Sequence, residues 1–495
     1  MDIQLITYIF STYMLPILIA STFAIIVPLL DVWSKKNKQI VFYGTLINFL
    51  LVIGSSLNLL INYQNIKEFY LYLGGYTSVF DILFAIAGIM TLFATKQYLE
   101  KENYHLKEFY SMLNFAFLGM MIINHSANLL LLFLGIELMS ISFFVLSGFI
   151  RTKISAIEAS LKYFLLGAFA TGFLVYGMAL IYGATGSIEY TIIARKLTTS
   201  QFDATYLAIG LGLIFVGLAF KSSIFPFHNW APDVYTGAPT VVTSFMSTSG
   251  KAASFVAFIL ITKHLFLPND KLEAMAATSW GMITEQSRFI IAILSASTML
   301  IGNITALVQK NVKRMLAYSS VAHAGYILMG IVSNNTDGWA GIAYYSAAYI
   351  FMQIGAFIVV SLIEMKDDTR LDLDKYNGLS KSNPFLAASM AIFMFSLVGL
   401  PPFGGFIGKY YLFLSAIESG YLWLTIVAVV ASLISVYFYI GLVINMYFRE
   451  QAEPIEKIQL GQANISLIIA IIGILLLGIL PDLLLPTAKF VFISF

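Results

Sequence analysis

Apolar runs of about twenty residues recur along almost the whole chain, and no other feature limits its fold so severely. At 1.5 Å per residue, each is long enough to cross the roughly 30 Å hydrocarbon core of a bilayer as a helix. Composition agrees: 59% of the 495 residues are hydrophobic and 11% are charged, against about half and a quarter in soluble domains. The expected fold class is all-α, a polytopic membrane protein with about fourteen transmembrane helices. The spans are expected near 5–30, 40–61, 78–95, 108–124, 128–150, 156–182, 205–228, 239–265, 288–309, 314–333, 338–363, 384–417, 421–448 and 464–487. No charged leader with a cleavage site precedes the first run, so that run is expected to be the first span.

Loops after odd-numbered spans carry the Lys/Arg excess: Lys35, Lys36 and Lys38, then Arg151 and Lys153, then Lys310, Lys313 and Arg314. The positive-inside rule makes these loops cytoplasmic and puts both termini on the periplasmic side of a bacterial inner membrane. The polar 364–383 loop reads as a solvated connection. Spans 7 and 12, at 205–228 and 384–417, contain prolines, and the second is too long for one straight crossing. They are five spans apart and so cross in opposite directions. That is the geometry of inverted repeats, which transporters use to build ion sites near the midplane. The expected organisation is N-terminal helices over 1–107, a first repeat over 108–285, a second over 286–448 and a C-terminal helix over 449–495.

Five ionisable side chains lie deep in apolar runs, where each costs about 2.5–3.5 kcal/mol at the bilayer centre. Glu137 is roughly 15 Å into span 5, and Lys251 is similarly central in span 8. Lys221 and Lys409 lie in the two broken spans. Lys162 is shallower, and Glu158, one turn earlier, is placed to pair with it. Structural alternatives are snorkelling to the interface for Lys162 and a plain Glu–Lys bridge for the central groups. Pro226 has no N–H for the carbonyl of Ser222, which should kink the helix. Pro401 and Pro402 should free the carbonyls of Leu397 and Val398, and Gly404, Gly405 and Gly408 loosen the next turn. Unpaired backbone at membrane depth is tolerated where it is buried in protein or lines a wet cavity. A packing kink alone explains the prolines but not a lysine beside both breaks.

His105, His125 and His264 fall at span ends and read as interfacial. His228 is two turns beyond Lys221 if the helix continues, and His323 is central in span 10; both are candidate relays or hydrogen-bonded core residues. A carboxylate about 4 Å from an ammonium favours it by about 4 kcal/mol at an effective dielectric near 20. Motion of Glu137 relative to Lys221 would therefore switch that lysine between proton-bound and proton-free. Lys251 would pass the proton laterally to Lys409.

The chain contains no cysteine, which excludes disulfides, thiolate zinc sites and cysteine-ligated clusters. No metal site is expected, and a bis-histidine haem would have only His228 and His323 to use. No dinucleotide fingerprint or phosphate loop is present, and a net charge of +2 without a basic patch argues against nucleic acid. Power for transport must come from a partner or from another ion's gradient.

The stretches KSSIFPFHNWAPDVYTGAPT, STSGKAAS, KNVKRMLAYSSVAHAGYILMG and GLPPFGGFIGKYYLF resemble the antiporter-like membrane subunits of respiratory complex I, in order and over spans 4 to 13. PDVYTGAPT and the lysine at 409 resemble the N-type members; the M type carries glutamate there, and the L type continues into a long lateral helix. The resemblance implies a proton-translocating subunit of NADH:quinone oxidoreductase with no redox centre of its own. It implies a Glu137–Lys221 pair, a connecting Lys251 and a terminal Lys409, with Lys162 and His228 further along the proton path. It also implies that NADH, FMN, iron–sulfur clusters and quinone belong to partner subunits, membrane and peripheral. Two alternatives share these features: a subunit of a multi-subunit cation/proton antiporter, and a scaffold within an energy-converting complex.

Overall fold

The computed structural model describes residues 12–33, 39–62, 65–101, 108–275, 277–364, 369–450, 455–459 and 461–493. His105 and Lys35, Lys36 and Lys38 lie outside the described residues. Among those described, eleven helices are long and apolar enough to cross a membrane. They become twelve if Ala463–Ile479 and Pro481–Ile493, bent by 100°, form one span. The two remaining expected spans are Glu108–His125, an 18-residue helix with Asn114, Asn124 and His125 in its buried face, and the divided pair Pro384–Val398 and Gly404–Glu418. Fourteen is therefore an approximate figure.

Three helices form the interior. Thr240–Leu265 (span 8), Val312–Ser333 (span 10) and Thr336–Ile363 (span 11) are buried along essentially their whole length. The outer helices bury one face and leave apolar side chains such as Ile141, Phe169 and Leu433 exposed, as helices surrounded by lipid do.

Span 7 does more than kink. Its helix Ala204–Lys221 stops at Lys221, where Ser223 adopts a left-handed φ of 59°. It resumes only at Trp230–Gly237. The carbonyl of Phe220, in the last turn before the break, accepts from Ser223 N at 3.1 Å and from the Trp230 indole N–H at 3.0 Å. In span 12 the first half ends at Gly399, whose φ of 89° suits a residue without Cβ. Gly405 then passes so close to the Ser396 carbonyl that a Cβ there would overlap it.

Two antiparallel hairpins share one construction. In Glu108–His125 with Leu129–Ser147 (spans 4 and 5), Gly119 stands against the Met139 backbone. In Ser279–Leu307 with Val312–Ser333 (spans 9 and 10), Gly302 stands against the Ala322 backbone. Asn128 caps the second helix of the first hairpin by accepting from Leu131 N, and Asn311 caps the second by accepting from Arg314 N. Asn128 also forms an isolated bridge to Glu189, and Asn311 one to Asp372. The flanking bonds match as well: Leu129 N to Ile188 O and Tyr190 N to Ala127 O, against Val312 N to Leu371 O and Leu373 N to Lys310 O. Every one of these correspondences has the same offset, 183 residues. The first bridge joins loops that follow even-numbered spans and the second joins loops that follow odd-numbered ones.

Two loop expectations change. Lys313 is not a solvated loop charge: it is 1% exposed, donates to Ala238 O at 2.8 Å and lies 3.9 Å from the equally buried Glu364. The 364–383 connection is docked as well as solvated, since Leu371, Tyr376 and Leu379 are buried. Its residues 365–368 fall outside the described set.

Candidate functional site

Lys221, Lys251 and Lys409 are all buried, at 5%, 1% and 4% exposure. Each ammonium is held by neutral oxygens. Lys221, at the end of its half-helix, donates to Ser140 Oγ at 2.6 Å and faces the Phe144 ring at 5.6 Å. Lys251 follows a π-helical turn, Met246–Gly250, and donates to both Oγ and the backbone carbonyl of Ser320 at 2.6 and 2.5 Å. Lys409 donates to Leu397 O at 3.0 Å, Val398 O at 2.9 Å and Ser432 Oγ at 3.0 Å, with the Tyr326 ring 4.7 Å away. Those two carbonyls are the pair that Pro401 and Pro402 were expected to release. One serine hydroxyl thus touches each lysine, and a hydroxyl both donates and accepts.

Glu137 is half-buried on span 5 and accepts from Thr171 Oγ1 at 2.8 Å. It makes no ion pair with Lys221 within 4 Å. It is close enough to act on that lysine electrostatically, and Ser140, one turn along the same helix, makes the direct contact. His323 is 2% exposed. Its two ring nitrogens meet the hydroxyls of Tyr345 at 2.6 Å and Tyr439 at 3.0 Å, and Tyr439 meets Ser319 Oγ at 2.6 Å.

His228 does not extend the face of Lys221, because the helix ends between them; its ring lies against Phe225 in the loop that holds Pro226. Lys162 pairs with Glu158 at 2.6 Å, as its spacing suggested, and also with Asp233 at 3.2 Å. Asp233 in turn holds Arg314 at 2.8 Å. Asp233 therefore ties span 6, the second half of span 7 and span 10 together in a partly exposed network.

His125 is not interfacial, and His264, half-buried in the last turn of span 8, is held by aromatic neighbours. His125 is fully buried, with Nε2 2.9 Å from Asp81 and Nδ1 2.9 Å from Tyr72 O, while Asn124 donates to the same carboxylate. His264 is stacked between Tyr72 and Tyr190 and bonds the Tyr72 hydroxyl at 3.0 Å. The signal that would have found the buried pair is Asp81 itself, an acid just inside an apolar run. Among the described residues, no group of three His, Asp or Glu side chains has metal-binding geometry.

The family model described as NADH:quinone oxidoreductase/Mrp antiporter, TM, matches residues 126–435. The chain is similar to NADH-quinone oxidoreductase subunit N of Trichlorobacter lovleyi, 43% identical over 419 residues that cover 84% of this chain and 83% of the relative. It is also similar to NADH-quinone oxidoreductase subunit N 1 of Chloroherpeton thalassium, 40% identical over 475 residues that cover 95% and 96%. Among solved structures, a chain of respiratory complex I from Thermus thermophilus with bound aureothin matches with a TM-score of 0.80 and 32% identity, covering 96% of this chain and 99% of that one.

Proposed function

The chain belongs to the family of NADH:quinone oxidoreductase and Mrp antiporter membrane subunits, and from that premise we propose that protons move through it along Glu137, Lys221, Lys251, His323 and Lys409. It is a multi-pass, proton-translocating membrane subunit of a NADH–quinone oxidoreductase, and its partners are other subunits of that complex. In this reading the quinone chemistry, with NADH, FMN and iron–sulfur clusters, belongs to those partners. This chain converts their redox energy into proton export across a bacterial inner membrane, with both termini on the periplasmic side.

The observation that carries the relay is the serine hydroxyl on each buried lysine. An ammonium fixed by a carboxylate at contact distance holds its proton; one held by hydroxyls and carbonyls sits in a shallower well and can give it up. Glu137, near Lys221 but not touching it, supplies a field that small movements can change. The Ser319–Tyr439–His323–Tyr345 chain offers donor–acceptor groups between the span that receives Lys251 and the region of Lys409. Lys162 sits at the rim beside Asp233, where a proton can enter from water. The paired bridges at a constant offset support two inverted repeats, 108–285 and 286–448.

The test is NADH-driven proton uptake in vesicles carrying the assembled complex. Lys221→Met and Glu137→Gln should each insert and assemble yet reduce pumping at least tenfold. Native pumping in either assembled variant contradicts the relay.

A further inference from the structure

The 183-residue offset can be read through the site as well as through the scaffold. It carries Gly119 to Gly302, Asn128 to Asn311, Met139 to Ala322 and Glu189 to Asp372. On the same helix as Asn128 and Met139, it carries Glu137 to Ser320 and Ser140 to His323. Ser320 therefore occupies, in the second hairpin, the position that holds the carboxylate in the first. It is also the residue that Lys251 reaches, through both Oγ and the carbonyl. Among the described residues, no carboxylate lies within 4 Å of the Lys251 ammonium.

We propose that Ser320 is the second repeat's counterpart of Glu137, and that its lack of charge is what keeps Lys251 a transient proton carrier. Lys221 works beside an acid and gains its proton there. Lys251, one step further, must release what it receives. A carboxylate at position 320, about 4 Å from the ammonium, would favour the proton-bound form about a thousandfold at an effective dielectric near 20. The proton would stay on Lys251 and lateral transfer would stop. Ser320 acts through Lys251 and is a positioning residue. The two hairpins share a backbone, and at this position the first carries a carboxylate and the second a neutral hydroxyl, which gives the path a direction: uptake beside Glu137, hand-over beside Ser320. This inference rests on the relay reading above.

The experiment compares Ser320→Asp with the near-isosteric, neutral Ser320→Asn in the complete complex. Assembly is checked on native gels, and NADH-driven proton uptake is followed from pH 6 to 9. Ser320→Asp should lose at least tenfold in uptake near neutrality and recover part of it toward alkaline pH, where the added hold on the proton is opposed. Ser320→Asn, which loses the hydroxyl but adds no charge, should lose clearly less uptake than Ser320→Asp near neutrality, and its loss should not change between pH 6 and 9. Equal loss in both variants assigns the residue to packing and overturns the inference, as does native uptake in Ser320→Asp or failure of both to assemble. Lys251→Met separates the two readings. If it abolishes uptake while Ser320→Asp does not, the relay stands and this inference falls; if Lys251→Met pumps normally, the relay itself falls.

Discussion

Lys409→Met separates the structural from the functional work of a buried lysine, because the structure limits what the substitution removes. Methionine keeps the length and apolar stem and loses three donated bonds, to Leu397 O, Val398 O and Ser432 Oγ. Ser432 Oγ also donates to Val398 O at 3.2 Å, so that carbonyl keeps a partner. Leu397 O does not, since Pro401, four residues on, has no N–H to offer. The structural loss is thus one orphaned buried acceptor, about 1–3 kcal/mol, partly offset because no ammonium is left to desolvate. Set against the roughly 5–15 kcal/mol that stabilises a folded domain, this loss is survivable, and the variant should assemble. Its proton transfer should not survive, because the ammonium at the second break is gone. Purified complex in proteoliposomes, with NADH oxidation and internal pH followed together, should show proton uptake at least tenfold below native. Thermal unfolding should show a loss no greater than about 3 kcal/mol. Native protons per NADH in the assembled variant would refute the role of the ammonium, and loss of the folded subunit would refute the bond accounting.

Two further outcomes test the framework around the site. Gly405→Ala should block accumulation of the assembled complex, because its Cβ would overlap the Ser396 backbone carbonyl, which cannot move without opening the second break; Gly441→Ala, whose Cβ meets nothing within 4 Å, is the control and should assemble normally. His125→Ala leaves the fully buried Asp81 carboxyl without its imidazole partner, which should cost about 3–5 kcal/mol of stability. Removing both partners in Asp81→Leu/His125→Ala should cost clearly less than the sum of the Asp81→Leu and His125→Ala losses, and thermal unfolding of these three variants and the native protein decides it.

The helices were legible because membrane spans are long, uniform and set by hydrophobicity alone. The second break was legible to the atom: the two prolines named Leu397 and Val398 as free acceptors, and Lys409 uses both. The first break was only half legible. Proline chemistry predicts one missing bond at Ser222, whereas the chain leaves the helix at Lys221 through the left-handed Ser223, a turn that no residue type there announces. The serine partners of the lysines were not legible. Ser320 lies 69 residues from Lys251 and Ser140 lies 81 from Lys221, and a serine in an apolar helix usually bonds its own backbone. Span ends misled for a related reason. A polar residue at a helix end reads as facing water, but His125 at the end of span 4 and Lys313 at the start of span 10 are both buried.

The two breaks reach one electrostatic arrangement by different routes. Lys221 is the last residue of the half-helix Ala204–Lys221, so it precedes its break. Lys409 follows its break, on the half-helix Gly404–Glu418, but turns back onto the terminal carbonyls of Pro384–Val398. In both cases the cation stands at the C-terminal, negative end of an interrupted helix. That end favours a positive charge by about 0.3–1 kcal/mol in water and up to about 2 kcal/mol when partly buried. An unbroken span keeps this end at the membrane surface, where solvent screens it. Breaking the helix brings it to the depth of the lysines and provides partial negative charge that cannot be protonated. A glutamate in its place would hold the lysine's proton too firmly or take the proton itself. Carbonyl oxygens do neither, which is why a proline-broken helix suits a lysine that has to exchange its proton.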